Sequence, residues 1–177
     1  MAIGEIWRTR REARGRAAWA LLPLRLTIGF GFAAHGYAKL SRGPESFAPI
    51  VAAMGFPAPV LTAWVTSLFE FAGGILLMAG AFVVPLSLPL AAIMATAMFG
   101  VHLRYGFSSI RLKALSAAGA EFGPPGYELN LLYLAGLAAL VLAASTPLSV
   151  DGWLRSRGRP SDEVPSTGEA SVEGDPT

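Results

Sequence analysis

The feature that most constrains this chain is a long interior almost free of charge. Of 14 Lys and Arg and 12 Asp and Glu in 177 residues, only ten fall between residues 17 and 150. Such a stretch cannot present the charged surface that a water-soluble fold needs, which excludes an ordinary soluble globular enzyme. A helix needs about 20 mostly apolar residues to cross the hydrocarbon core of a bilayer. Four stretches qualify, near residues 18–38, 60–80, 83–103 and 127–145. Ala, Leu, Gly and Met dominate them, and the period-2 alternation of barrel strands is absent. The expected fold is all-α, a transmembrane four-helix bundle over residues 18–154. Residues 1–17 form a basic cytoplasmic leader ahead of it, and residues 155–177 a disordered cytoplasmic tail. The tail from Pro160 onward carries five acidic residues, no basic one and little apolar content to bury.

Lys and Arg near the span ends set the orientation. Arg8, Arg10, Arg11, Arg14 and Arg16 precede span one, and Arg155, Arg157 and Arg159 follow span four. The other side carries Lys39, Arg42, Arg104, Arg111 and Lys113. Eight against five puts both termini in the cytoplasm. The arginine-rich leader suits anionic headgroups and determines topology; it is not a nucleic-acid arm. A cleaved signal peptide is the competing reading of span one. Its length, its Arg25 and the three spans that follow argue against cleavage. Between spans two and three the chain turns tightly near residues 79–84. The segment 104–126 is long for a hairpin, and residues 110–115 within it are expected to form a short interfacial helix.

Charge inside a bilayer is costly, so the few embedded ionisable groups are the informative ones. Counted from the inner edges of their spans, Arg25 and Glu70 lie at similar depth. They are expected to form an intramembrane ion pair. The alternatives are that Arg25 snorkels to the headgroups while a neutral Glu70 bonds to Thr66 or Ser67, or that Glu70 handles protons or substrate. Arg25, Gly29, Phe32, Gly36 and Lys39 recur at 4-3-4-3 spacing, a stripe that should face the bundle interior. Thr66, Glu70, Gly73 and Gly74 mark the matching stripe of span two. Ala135, Ala139 and Ala143, with Gly136 alongside, mark that of span four. At the outer end His35, Lys39, His102, Arg104, Glu121, Glu128 and Asn130 gather into a polar mouth over an apolar bundle, a setting that suits small ligands.

Cysteine is absent, which removes thiolate chemistry, disulfides and Cys-type metal sites from this chain. Two histidines without cysteine make a weak metal signal, so no metal site is expected. No phosphate loop, Ser-His-Asp array or zinc-helix pattern is present.

Four sequence segments resemble the DoxX family of small bacterial membrane proteins. Arg25-Leu-Thr-Ile-Gly29 through His35-Gly36-Tyr-Ala-Lys39-Leu40 is similar to the family's first helix. Gly55-Phe56-Pro57, followed by Glu70-Phe-Ala-Gly73-Gly74, is similar to the second. Met94 through His102 matches the third. Gly126-Tyr-Glu128-Leu-Asn130 through Ser149-Val-Asp151 resembles the fourth and the end of the domain. The chain departs from the family where its usual Gly-x-Gly is replaced by Ala144-Ser145-Thr146-Pro147.

The resemblance implies a multi-pass protein of the bacterial plasma (inner) membrane. It also implies a membrane anchor or quinone-linked subunit of a redox complex, of the thiosulfate:quinone oxidoreductase kind. Arg25, Glu70, His35 and His102 carry over as functional candidates. No cofactor is evident in the chain; quinone is the ligand the resemblance suggests. The expected partners are the lipid bilayer and a soluble or membrane redox protein, with a homo-oligomer left open. Two other readings stay open. One is a structural or regulatory membrane protein without catalysis of its own, and the other is a small transporter-like bundle.

Overall fold

A computed structural model describes residues 3–143 and 146–157, with side chains from residue 18 onward. The tail expected to be disordered lies outside these residues from position 158. Its first three positions instead complete a helix.

The element order follows the hydropathy pattern. Helix α1 runs Ile3–Arg42, so the basic leader and span one are one continuous helix. A 3-10 turn (Pro44–Ser46) and the short helix α2 (Ala48–Ala53) lead to helix α3 (Pro59–Ala79). Helix α4 (Val83–Ala97) follows, extended by a π-helical turn (Met98–His102) and a 3-10 turn (Leu103–Tyr105). Helix α5 spans Glu128–Ala143 and helix α6 spans Val150–Arg157. The turn expected at residues 79–84 is where α3 ends and α4 begins. Gly80 there takes φ 69°, the left-handed conformation that closes a helix C-terminus and that glycine adopts without strain.

The segment expected as an interfacial helix is a β-hairpin. Strand β1 (Leu112–Ser116) pairs antiparallel with β2 (Gly119–Phe122), Leu112 opposite Phe122 and Leu115 opposite Ala120, with a register shift between Leu112 and Ala114. Gly119, at φ 121°, permits the tight reversal, and the ladder satisfies backbone groups that a six-residue helix would leave largely unpaired.

Pairs of long helices pack α1 on α3, α3 on α4, α4 on α5 and α5 on α1. Their shared core is Ile28, Phe32, Leu77, Leu90, Leu137 and Leu140. The 4-3-4-3 stripe of α1 faces inward as expected: Arg25, Gly29, Phe32 and Gly36 are all buried. On α5 the inward face is Gly136, Leu137 and Leu140, while Ala135 is exposed. A Cβ on Gly136 would collide with Ile28, so at this crossing glycine rather than the alanine series sets the approach.

The outer faces stay apolar. Leu142 is 85% exposed, Leu88 69%, Phe99 66% and Phe30 65%. A surface like this is solvated by lipid, not water. Among the described residues, two helical stretches, Pro59–Ala79 and Val83–Tyr105, are long and apolar enough to cross a membrane, while α5 is apolar but shorter.

Candidate functional site

The site is set by how closely α1 and α3 approach. A Cβ on Gly29 would lie 2.8 Å from the Gly74 carbonyl oxygen, and one on Gly74 would lie 2.5 Å from that of Gly29. A Cβ on Gly36 would strike the backbone of Phe71. The helices run antiparallel, so this register carries Lys39 to the level of Glu70. The ammonium donates to both carboxylate oxygens, at 2.8 Å (Oε1) and 2.6 Å (Oε2). The pair is largely withdrawn from solvent, the side chains 23% and 6% exposed. The third direction of the ammonium faces the Phe47 ring, 4.5 Å from its centroid.

The expected Arg25–Glu70 pair does not form. Arg25 lies level with Gly80, ten residues along α3 from Glu70, or about 15 Å at the helical rise of 1.5 Å per residue. Depth measured from a span edge at residue 18 does not locate Arg25, because α1 is continuous from Ile3. Arg25 instead clasps the opposite end of the molecule. It donates to the Thr146 hydroxyl, to the Pro147 carbonyl (3.3 Å) and to the Leu148 carbonyl (2.8 Å). Asp151, not singled out from the sequence as a site residue, completes the clasp. Its carboxylate accepts from the backbone N–H groups of Phe82 (2.9 Å) and Val83 (3.0 Å), and its own N–H donates to the Gly80 carbonyl (3.0 Å). That carboxylate sits where the helix dipole of α4 is positive.

At the other end, between the α1–α3 and α4–α5 pairs, lies a cavity of about 520 Å³. Its wall is mostly apolar, with His35 and Lys39 from α1, Thr66 and Glu70 from α3, and His102 from the π-helical turn. Asn130 and Tyr133 come from α5. Phe47, Ile50, Val51 and Met54 cover one side. That cover packs Ala48 and Val51 onto Ala63 in a cluster separate from the main core. Glycines at positive φ, Gly43 (82°) and Gly55 (80°), bracket it. The Trp64 indole N–H donates to Glu45 Oε1 at 2.8 Å and ties the cover to α3.

Of the expected polar mouth, His35, Lys39, His102 and Asn130 line the cavity, and Glu70 joins them. Arg104 and Glu128 do not. Arg104 is exposed and stacks over Tyr105, 4.9 Å from its centroid. Glu128 accepts from the Ser109 N–H at 3.0 Å and anchors the loop before α5. Glu121 pairs with Lys113 in the β-hairpin at 3.0 Å. Tyr133, Met94 and Met54 also line the cavity, and aromatic and methionine positions in an apolar stretch carry no sequence signal of their own.

Among the described residues, the one Lys and the one Glu that line the cavity are bonded to each other, so their formal charges cancel. Among the described residues, no group of three or more His, Cys, Asp or Glu is placed to hold a metal ion. Chemically the cavity is an apolar slot with a few oriented hydrogen-bonding groups, suited to an uncharged lipophilic molecule with a polar ring.

The DoxX family model matches residues 20–103, from the second half of α1 through the π-helical turn. That stretch contains Arg25, His35, Lys39, Glu70 and His102. No curated protein and no solved structure matches the chain.

Proposed function

We propose, for a chain that belongs to the DoxX family over residues 20–103, that it is a quinone-linked membrane subunit of a redox complex. On this reading α1, α3, α4 and α5 are four membrane spans in the bacterial plasma membrane, both termini are cytoplasmic, and the cavity opens toward the outer side. The excess of Lys and Arg at the two termini supports that orientation. The single observation that carries the proposal is the cavity itself. It is mostly apolar, about 520 Å³, and edged by His102, Asn130 and the mutually neutralising Lys39–Glu70 pair. That combination suits the ring of a quinone better than an inorganic oxyanion, because Lys39, the one Lys or Arg among the described residues lining the wall, is already bonded to a carboxylate. The electron donor is then bound by a partner protein, and this chain supplies the membrane anchor and the quinone site.

Arg25 and Glu70 are bonded to different partners and line no common pathway, so no buried Arg–Glu pair supports a transporter-like bundle. The test is to purify the full chain in mild detergent with whatever proteins remain attached. Quinone binding and quinone-dependent reduction by the assembly are expected. A preparation that shows neither contradicts the proposal and favours a structural or regulatory role.

A further inference from the structure

Two backbone carbonyls fix the hydrogen-bonding polarity of one wall of the cavity. A carbonyl oxygen can only accept. His102 Nδ1 lies 3.0 Å from the Pro125 carbonyl oxygen, so Nδ1 carries the proton. In the neutral ring Nε2 is then a bare acceptor. Asn130 Nδ2 lies 3.4 Å from the Met94 carbonyl oxygen and 3.0 Å from Met94 Sδ. Both of those also accept, so the amide NH2 faces them and Oδ1 points elsewhere. Asn130 is only 5% exposed. Its Oδ1 has no hydrogen-bond partner among the described residues, yet the one sealed and unpartnered side-chain atom found among them is Arg25 Nε. Oδ1 therefore borders open space, and Asn130 lines the cavity.

Donors that are fixed in direction are meanwhile engaged. The Lys39 ammonium spends two bonds on Glu70 and faces the Phe47 ring. The Thr62 hydroxyl donates to the Pro57 carbonyl at 3.0 Å. Thr66 and Tyr133 hydroxyls rotate to donate or accept, and among the described residues no hydrogen bond fixes the His35 tautomer, so these three adapt to either kind of ligand.

We infer that the cavity selects a ligand that donates hydrogen bonds: an apolar aromatic molecule bearing hydroxyl groups. Resting on the reading that the cavity takes a quinone, this means the reduced quinol is bound in preference to the oxidised quinone. A quinone carbonyl only accepts, so against Asn130 Oδ1 and His102 Nε2 it leaves acceptors facing acceptors. Quinol hydroxyls satisfy both. Tighter binding of the reduced form also makes the bound couple easier to reduce, by about 30 mV for each tenfold difference in affinity.

The experiment uses the full chain in detergent under anaerobic conditions. Binding of a decyl-substituted benzohydroquinone, the matching benzoquinone and the hydroquinone dimethyl ether is measured by calorimetry. Two hydrogen bonds gained at ordinary strength predict that the hydroquinone binds at least about tenfold more tightly than the other two. His102→Phe and Asn130→Leu are each expected to narrow that gap about fivefold. If Asn130→Leu does not fold, His102→Phe and the ether comparison decide. Retained binding with equal affinities, or with the quinone favoured, overturns the inference and leaves the quinone-site proposal standing. Absence of binding by all three compounds overturns both. Nitrogen-15 resonances of the two histidines, assigned with His35→Gln, give an independent readout. A His102 ring protonated at Nδ1 is expected, and one protonated at Nε2 overturns the inference whatever binds.

Discussion

Lys39 and Glu70 form a two-bond ion pair across the α1–α3 seam, at 2.8 and 2.6 Å, in the wall of an otherwise apolar cavity. Removing one partner of a buried pair leaves the other charge uncompensated. Lys39→Met and Glu70→Gln should each cost several kcal/mol, of the order of 3. The first leaves a bare carboxylate and should be the more damaging. Replacing both by apolar residues of similar volume should recover most of the loss. Thermal unfolding of the detergent-solubilised variants checks this; a double variant no better than the worse single one would contradict it.

The seam that aligns the pair depends on glycine. At Gly74 a methyl group would sit 2.5 Å from the Gly29 carbonyl oxygen, so Gly74→Ala must push α1 and α3 apart. A loss of about 1–3 kcal/mol is expected, as for other overpacked interiors. Gly15→Ala is the control. Nothing lies within 4 Å of its Cβ position, and alanine is the better helix former by about 1 kcal/mol. Unfolding midpoints of the two variants should therefore move in opposite directions.

The clasp at the far end is a capping interaction. Asp151→Ala removes acceptors for two N–H groups at the start of α4. The expected cost is about 1–2 kcal/mol, with faster hydrogen exchange at Phe82 and Val83. Asp151→Asn, which keeps one acceptor oxygen, should lose less. Equal stability of Asp151→Ala and the parent would remove the clasp from the account.

The cover of the cavity should respond to acid. The Glu45 carboxyl is held below the ordinary carboxylate range by its own backbone N–H and by the Trp64 indole N–H. A group with a lowered folded-state value contributes its link fully above the ordinary range and loses it as pH falls through the lowered one. Acidification through that window should change Trp64 emission, and Glu45→Gln should abolish the response. An unchanged titration in Glu45→Gln would show that the signal comes from another of the four tryptophans.

Much of this architecture is legible in the residues. Apolar runs and Pro/Gly punctuation place the long helices, and the turn at residues 79–84 falls where α3 meets α4. The Arg25, Gly29, Phe32, Gly36 and Lys39 stripe turns inward because small residues and charge both avoid lipid. The pairing of charges is not legible, because it depends on helix register. Gly29 against Gly74 sets that register, and no single helix encodes it. Equally, Ala135 and Gly136 look alike as small residues, and contact with Ile28 decides which is buried. The β-hairpin escapes a periodicity argument because the Gly119 turn and cross-strand bonding, not alternation, hold it. The roles of His102 and Asn130 depend on which carbonyl each one meets, information absent from a linear pattern.

Charge reversal across the seam tests the central arrangement most directly. Lys39→Glu and Glu70→Lys are made singly and together, beside Arg25→Glu combined with Glu70→Arg, and each product is scored for thermal stability and a monodisperse profile in detergent. The account predicts that the Lys39–Glu70 exchange recovers most of what either single reversal loses, while the Arg25–Glu70 exchange recovers nothing. Rescue by the Arg25–Glu70 exchange, or none by the Lys39–Glu70 exchange, would contradict it.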